Sequence, residues 1–233
     1  MLCIAHRGAS GYAPESTHAA FERAIAMGAD ATETDVQLTA DGHLVLFHDD
    51  LVDRTSDGRG ALADYTLAEL RKLDLGRWYG EAFAGERILT VEEALDAYAA
   101  RIPFALEIKD PRAAIPLATL LAARGIRDGI TIRSFSWGAL LDAQAIHPAI
   151  PYGFLIRTLE EDVIERSVRR GFQEIYPHID RLTVRRVALA HERGLRVFAW
   201  GLSRRDLVER LFETGADGAS CNWPDWIIDM RTT

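Results

Sequence analysis

Short apolar runs alternate with amphipathic stretches along most of this chain. In the second half the runs fall at 130–132, 152–156, 172–176, 195–200 and 217–221. They begin about 22 residues apart, and each gap carries apolar positions at helical spacing. Gly125, Gly171, Gly194 and Gly215 each close a helical stretch just before a strand, where a left-handed residue is wanted. Thr158 with Glu161 and Ser203 with Asp206 have the spacing of capping boxes at helix starts.

The first half continues the series less evenly. Residues 2–5 read as the first strand, 16–27 as a helix ending at Gly28, 31–38 as the second strand and 104–108 as the third. A helix over 91–100 starts after Thr90, with Glu93 completing a capping box. Eight strands alternating with helices predict an α/β fold with a parallel sheet, and a (β/α)8 TIM barrel fits eight even units. An open doubly wound sheet is the competing arrangement, but it seldom needs eight. The rhythm breaks between the second and third strands. There a β-like run at 44–47 leads into a stretch rich in Asp, Gly and Arg, an insertion at about 49–88. It has too few apolar residues for a core of its own, so the 233 residues are expected to form one domain with an excursion over the barrel mouth.

Composition narrows the function. The chain is 48% hydrophobic and 27% charged, with a net charge of −8, which argues against a nucleic-acid partner but leaves room for a small phosphate-bearing substrate. Its two cysteines, Cys3 and Cys221, lie in apolar or small-residue surroundings and suit a reducing compartment. No signal peptide and no membrane-spanning stretch are evident, so a cytoplasmic location is expected. Nothing in the sequence specifies an oligomeric state.

In such a barrel the C-terminal strand ends form the active face, and chemically capable residues gather there. The first strand ends in His6-Arg7, the second carries Glu33 and Asp35, the run after it ends in His48-Asp49, and the third ends Glu107-Ile108-Lys109. Residues two apart in a strand share a face, so Glu33 and Asp35 project together. That pair alone suits either ion pairs with Arg7 and Lys109 or a cation. With Glu107 on the next strand, the site becomes all-oxygen, suited to Mg²⁺ or Ca²⁺ rather than zinc. Two histidines converging on one mouth beside Arg7 suggest a general acid and a general base for phosphoryl transfer. Phe135 and Trp200, also at strand ends, can wall an apolar part of a substrate. Trp78, Tyr79 and Phe83 would make a lid on the insertion, or its anchor.

HRG at 6–8, PEST at 14–17, ETD at 33–35, HDDLVDRTSDGRG at 48–60 and LEIK at 106–109 occur in order. Together they resemble the glycerophosphodiester phosphodiesterase family, and the likeness continues to GADG at 215–218 and Pro224. The resemblance implies a TIM barrel with a small insertion after the second strand. It also implies hydrolysis of glycerophosphodiesters to glycerol 3-phosphate and an alcohol, with a divalent cation. By motif, Glu33, Asp35 and Glu107 would bind the metal, and His6 and His48 would be the acid–base pair. Arg7 would lie on the phosphate, Lys109 beside it, Glu15 near the site and Trp200 beside the glycerol. Three departures stand near the same mouth: Ser16 where the family has Asn, Gly201-Leu202-Ser203 for TVN, and Cys221-Asn222 for TD. Two rival functions share the barrel: a lipase of the phosphoinositide- or sphingomyelin-cleaving type, and a non-catalytic glycerophosphodiester-binding protein. The retained histidine pair and three carboxylates favour catalysis over binding.

Overall fold

In the computed structural model, which describes residues 1–232, the chain runs as follows. β1 (Leu2–His6) and α1 (His18–Ala26) lead to β2 (Ala31–Leu38) and β3 (Leu44–Leu46). The insertion carries the short α2 (Leu67–Leu70) and returns through α3 (Val91–Tyr98) to β4 (Phe104–Ile108). Then come α4 (Ala114–Ala123), β5 (Ile130–Ser134), α5 (Trp137–Ile146), β6 (Tyr152–Ile156) and α6 (Glu161–Arg169). Last are β7 (Glu174–Pro177), α7 (Val184–Glu192), β8 (Arg196–Leu202), α8 (Asp206–Thr214), β9 (Gly218–Cys221) and α9 (Pro224–Thr232).

Eight strands pair in parallel in the order β1, β2, β4, β5, β6, β7, β8, β9, and β9 pairs again with β1, closing a (β/α)8 barrel. β3 stands outside this ring, antiparallel to the end of β2, and it delivers the chain back to the barrel mouth. Buried apolar side chains fill the space between strands and helices, around Phe21, Leu106 and Ile132 on one side and Ile175, Val197 and Leu211 on the other. Inside the barrel, Ile4, Leu155, Tyr176 and Phe198 form an apolar plug. Two residues further along β1 the inward position becomes His6, so the plug is the floor on which a polar site rests. The insertion gathers its scattered apolar residues, among them Val52, Leu62 and Leu75, into a small cluster against Val45 and Phe47.

Element ends follow the expected chemistry in most places. The Thr90–Glu93 capping box of α3 forms, and a second forms between Thr66 and Glu69 at α2. Gly215 caps α8 in the left-handed region at φ 73°, and Gly125, Gly171 and Gly194 do the same after α4, α6 and α7. The Thr158–Glu161 and Ser203–Asp206 boxes do not form. Glu161 and Asp206 are themselves the first residues of α6 and α8, after Glu160 and Arg205 at the N-caps, so neither sits three places beyond its cap. Their carboxylates still face the positive end of each helix dipole.

Candidate active site

Strand register assembles the site. His6 of β1 lies opposite Glu33 of β2, Asp35 lies opposite Glu107 of β4, and Glu107 lies opposite Arg133 of β5. Glu33, Asp35 and Glu107 are 0%, 1% and 5% exposed, and one oxygen from each lies within 4.8 Å of the others. Like charges so placed need cations. Arg133 Nη2 stands 2.9 Å from Glu33 Oε1, and Arg7 Nε 2.9 Å from Asp35 Oδ2. Lys109 Nζ is 2.8 Å from Glu107 Oε1 and 3.3 Å from Asp35 Oδ1. Of the two outcomes foreseen for the carboxylates, the ion pairs with Arg7 and Lys109 are present.

Those ion pairs leave oxygens unsatisfied. Glu33 Oε1 and both Asp35 oxygens are buried without a well-aligned hydrogen bond, which is uncommon for buried polar atoms. Three carboxylates at this separation, with no thiolate among them, fit a hard divalent cation such as Mg²⁺ or Ca²⁺. Burial, reinforced by the neighbouring Asp35 charge, pushes the Glu107 carboxyl up to about 7. Burial also opposes the Asp35 charge, but Arg7 and Lys109 outweigh it and hold that carboxyl below the usual range.

The histidines have unlike partners. His6 Nδ1 lies 2.6 Å from Asn222 Oδ1, while Nε2 faces Glu33 Oε2 at 3.7 Å. An amide oxygen only accepts, so the neutral ring carries its proton on Nδ1 and a lone pair on Nε2. Burial, with Arg7 adding to it, keeps His6 below the ordinary histidine range despite Glu33. His48 follows β3. Gln37 of β2, itself buried, donates to the carbonyls of both flanking residues, Phe47 at 3.0 Å and Asp49 at 2.8 Å. His48 Nδ1 donates to Asp49 Oδ1 at 2.5 Å, so a carboxylate fixes the direction of its ring.

A cleft of ≈ 260 Å³ opens above, lined by His6, Arg7, His48, Lys109, Phe135 and Trp200 among others. Phe135 and Trp200 meet edge to face at 5.4 Å, and Trp200 Nε1 is pinned to the carbonyls of Ile156 and Tyr176. Glu15 is not part of the lining; its oxygens accept from Arg7 and Arg54. Trp78, Tyr79 and Phe83 stack edge to face on one another within the insertion rather than on the cleft.

The turn after β1 is strained where it meets the site. Arg7 and Ser16 both take left-handed φ values, 56° and 57°, each costing on the order of 1–3 kcal/mol for a residue with a side chain. Two hydrogen bonds hold them: Arg7 N–H donates to Glu33 Oε2 and Ser16 N–H to the Arg7 carbonyl. The Ser16 hydroxyl lies 2.9 Å from Thr34 Oγ1, and Thr34 alternates to the face of β2 opposite Glu33 and Asp35. The serine therefore supports β2 from behind and does not reach the carboxylates.

Sequence reasoning passed over Arg133, which is 1% exposed, ion-paired with Glu33, hydrogen-bonded to Ser220 Oγ and set over the Tyr176 ring at 4.9 Å. One signal was available: an arginine inside an apolar strand is almost never buried unless paired. For Arg54 and Gln37 no local pattern marks which polar residue of a loop or strand end turns toward the mouth.

The family model for the glycerophosphoryl diester phosphodiesterase family matches residues 6–226 of this chain. The chain is 37% identical over 236 residues to YhdW of Bacillus subtilis (98% of this chain, 97% of the relative). It is 35% identical over 235 residues to a glycerophosphodiester phosphodiesterase of Caldanaerobacter subterraneus subsp. tengcongensis (98% and 97%). Its fold is similar to that of an Oleispira antarctica phosphodiesterase in complex with the product sn-glycerol-3-phosphate, with a TM-score of 0.92 and 29% identity over 100% of this chain and 97% of that one. With the carboxylate triad and both histidines inside the matched span, the chain belongs to the glycerophosphoryl diester phosphodiesterase family.

Proposed function

We propose that this chain hydrolyses glycerophosphodiesters to glycerol 3-phosphate and an alcohol, with His6 and His48 as its acid–base pair. The observation that carries this assignment is the asymmetry of the two histidines across one cleft: a neutral amide behind His6, a carboxylate behind His48. His6, with a free Nε2 lone pair and a lowered proton affinity, accepts the proton of the attacking oxygen. His48, oriented across the cleft by its hydrogen bond to Asp49, donates to the departing alkoxide. Arg7 and Lys109 face the phosphate, and Phe135 and Trp200 supply the apolar wall against which the glycerol carbons rest.

Glu33, Asp35 and Glu107 would hold a divalent cation, Mg²⁺ or Ca²⁺. When bound it supplies the positive excess a phosphodiester anion needs, since Arg7, Lys109 and Arg133 only balance the three carboxylates. The product carried by the Oleispira relative supports the substrate class. Among the described residues no helix is long and apolar enough to cross a membrane. Both cysteines are free, and we place the protein in the cytoplasm on that ground. The substrate partner is a small molecule rather than a nucleic acid.

The test is glycerol 3-phosphate release from glycerophosphocholine and glycerophosphoethanolamine, with Mg²⁺, Ca²⁺ or a chelator, and with sphingomyelin as a competing substrate. Cation-dependent release from the glycerophosphodiesters is expected. No release under any cation, or cleavage confined to sphingomyelin, would overturn the assignment.

A further inference from the structure

Arg54 lies on the insertion, outside the cleft lining, and has been given no part in the chemistry. Its guanidinium nevertheless engages two carboxylates at once. Nε donates to Asp49 Oδ2 at 2.5 Å, while Nη1 and Nη2 donate to Glu15 Oε2 and Oε1, both at 2.8 Å. Each carboxylate then reaches a residue that lines the cleft. Asp49 accepts from His48 Nδ1 through its other oxygen, and Glu15 Oε1 also accepts from Arg7 Nη1 at 2.9 Å. Arg7 in turn stands on Asp35.

We infer that Arg54 is a positioning residue that sets the orientation of His48 through Asp49 and of Arg7 through Glu15, so that the insertion completes the active site from behind. The inference rests on His48 and Arg7 having the roles proposed above.

Three features support it. The contacts use the planar fork of an arginine, which a lysine's single ammonium cannot reproduce across two carboxylates. Burial disfavours the Asp49 charge, yet hydrogen bonds from Arg54 and then His48 hold its carboxyl at about 2, so Asp49 stays an acceptor for the imidazole. Glu15 behaves alike: burial opposes its charge, and the Arg54 hydrogen bond with the Arg7 charge more than compensates. With Arg54 removed, both carboxylates lose their common cation and turn toward water or toward new partners. His48 and Arg7 then lose their fixed directions while keeping their chemistry. Misplacing reacting groups by about 1 Å can cost on the order of 100-fold in rate.

The experiment compares steady-state kinetics on glycerophosphocholine, in saturating cation, for wild type and for Arg54→Ala, Arg54→Lys, Asp49→Asn, His48→Ala and the Arg54→Ala/Asp49→Asn double variant. Thermal melts report folding. The expected result is a kcat about 10–100-fold lower in Arg54→Ala, with the double variant no slower than the slower single one. Arg54→Lys should also be slow, because it keeps the charge and loses the fork. Should Arg54→Ala not fold, Arg54→Lys decides alone. Added guanidinium should restore part of the rate in Arg54→Ala and none in His48→Ala. A kcat within twofold of wild type in both Arg54 variants, with His48→Ala inactive, overturns the inference and leaves the proposed function standing. Losses that multiply in the double variant overturn it as well, because the two residues then act separately. Full activity in His48→Ala defeats the proposed function itself and the inference with it.

Discussion

Replacing Arg133 by methionine tests how much of the charge balance beneath the site is structural. Glu33 is fully buried, and Arg133 Nη2 is the partner of its Oε1. The other oxygen, Oε2, keeps the Arg7 N–H and its approach to His6. The substitution therefore strands half of a buried carboxylate rather than all of it. Removing one member of a buried ion pair costs about 3–5 kcal/mol, and the retained contacts place the expected loss near the lower figure, about 3 kcal/mol. Methionine fills most of the vacated volume, so a cavity adds little. For a chain of this size about 3 kcal/mol corresponds to a melting-temperature drop of about 6–12 °C. The assay is urea and thermal unfolding in chelator. Adding Ca²⁺ should stabilise the variant more than the wild type, and Glu33→Gln in the same chain should restore most of the loss. A deficit below about 1 kcal/mol would refute the view that Arg133 carries the Glu33 charge.

Glu107 makes cation binding pH-dependent. Its carboxyl titrates at about 7 in the cation-free protein, so protons compete with the ion below that point. Calorimetry should show affinity about tenfold weaker at pH 6 than at its plateau above pH 7, and the same affinity at both would contradict the ligand assignment. The sign for folding is opposite to that of a stabilised carboxylate: the folded state binds the proton more tightly, so stability in chelator falls as pH rises from about 4.5 to about 7. Glu107→Gln should remove that slope. Gly8→Ala should destabilise by about 1–3 kcal/mol, because Gly8 has φ 76° and an added Cβ would lie 2.6 Å from the Ala20 backbone carbon. A melting temperature unchanged in that variant would show that the turn after β1 can move away from α1.

What was legible in the chain follows from how locally each feature is encoded. The barrel was legible because strand and helix periodicity repeats eight times, with glycine at the helix ends. Glu33, Asp35 and Glu107 could be brought together because alternation on a strand fixes a face from sequence spacing alone, and His6 and His48 because each closes an apolar run at the barrel mouth. Thr158 and Ser203 misled because a capping box depends on where the helix begins, and α6 and α8 each begin two residues later than those caps require. Arg54 and Asn222 were not assigned to the site because their partners lie far off in sequence: Arg54 meets Glu15 across 39 positions and Asn222 meets His6 across 216. Such contacts depend on barrel closure and on the path of the insertion, which no local pattern records. Ser16 gained its meaning only from the backbone, where a left-handed turn sends its hydroxyl to Thr34.

The most direct measurement follows glycerophosphocholine by phosphorus NMR with wild type, His6→Ala and His48→Ala, each confirmed to be folded and loaded with cation. The acid–base assignment predicts that the glycerol 3-phosphate resonance grows with wild type, stops on adding chelator, and is lost or slowed by about 100-fold or more in each variant. Turnover at the wild-type rate in either histidine variant, or in the presence of chelator, would contradict it.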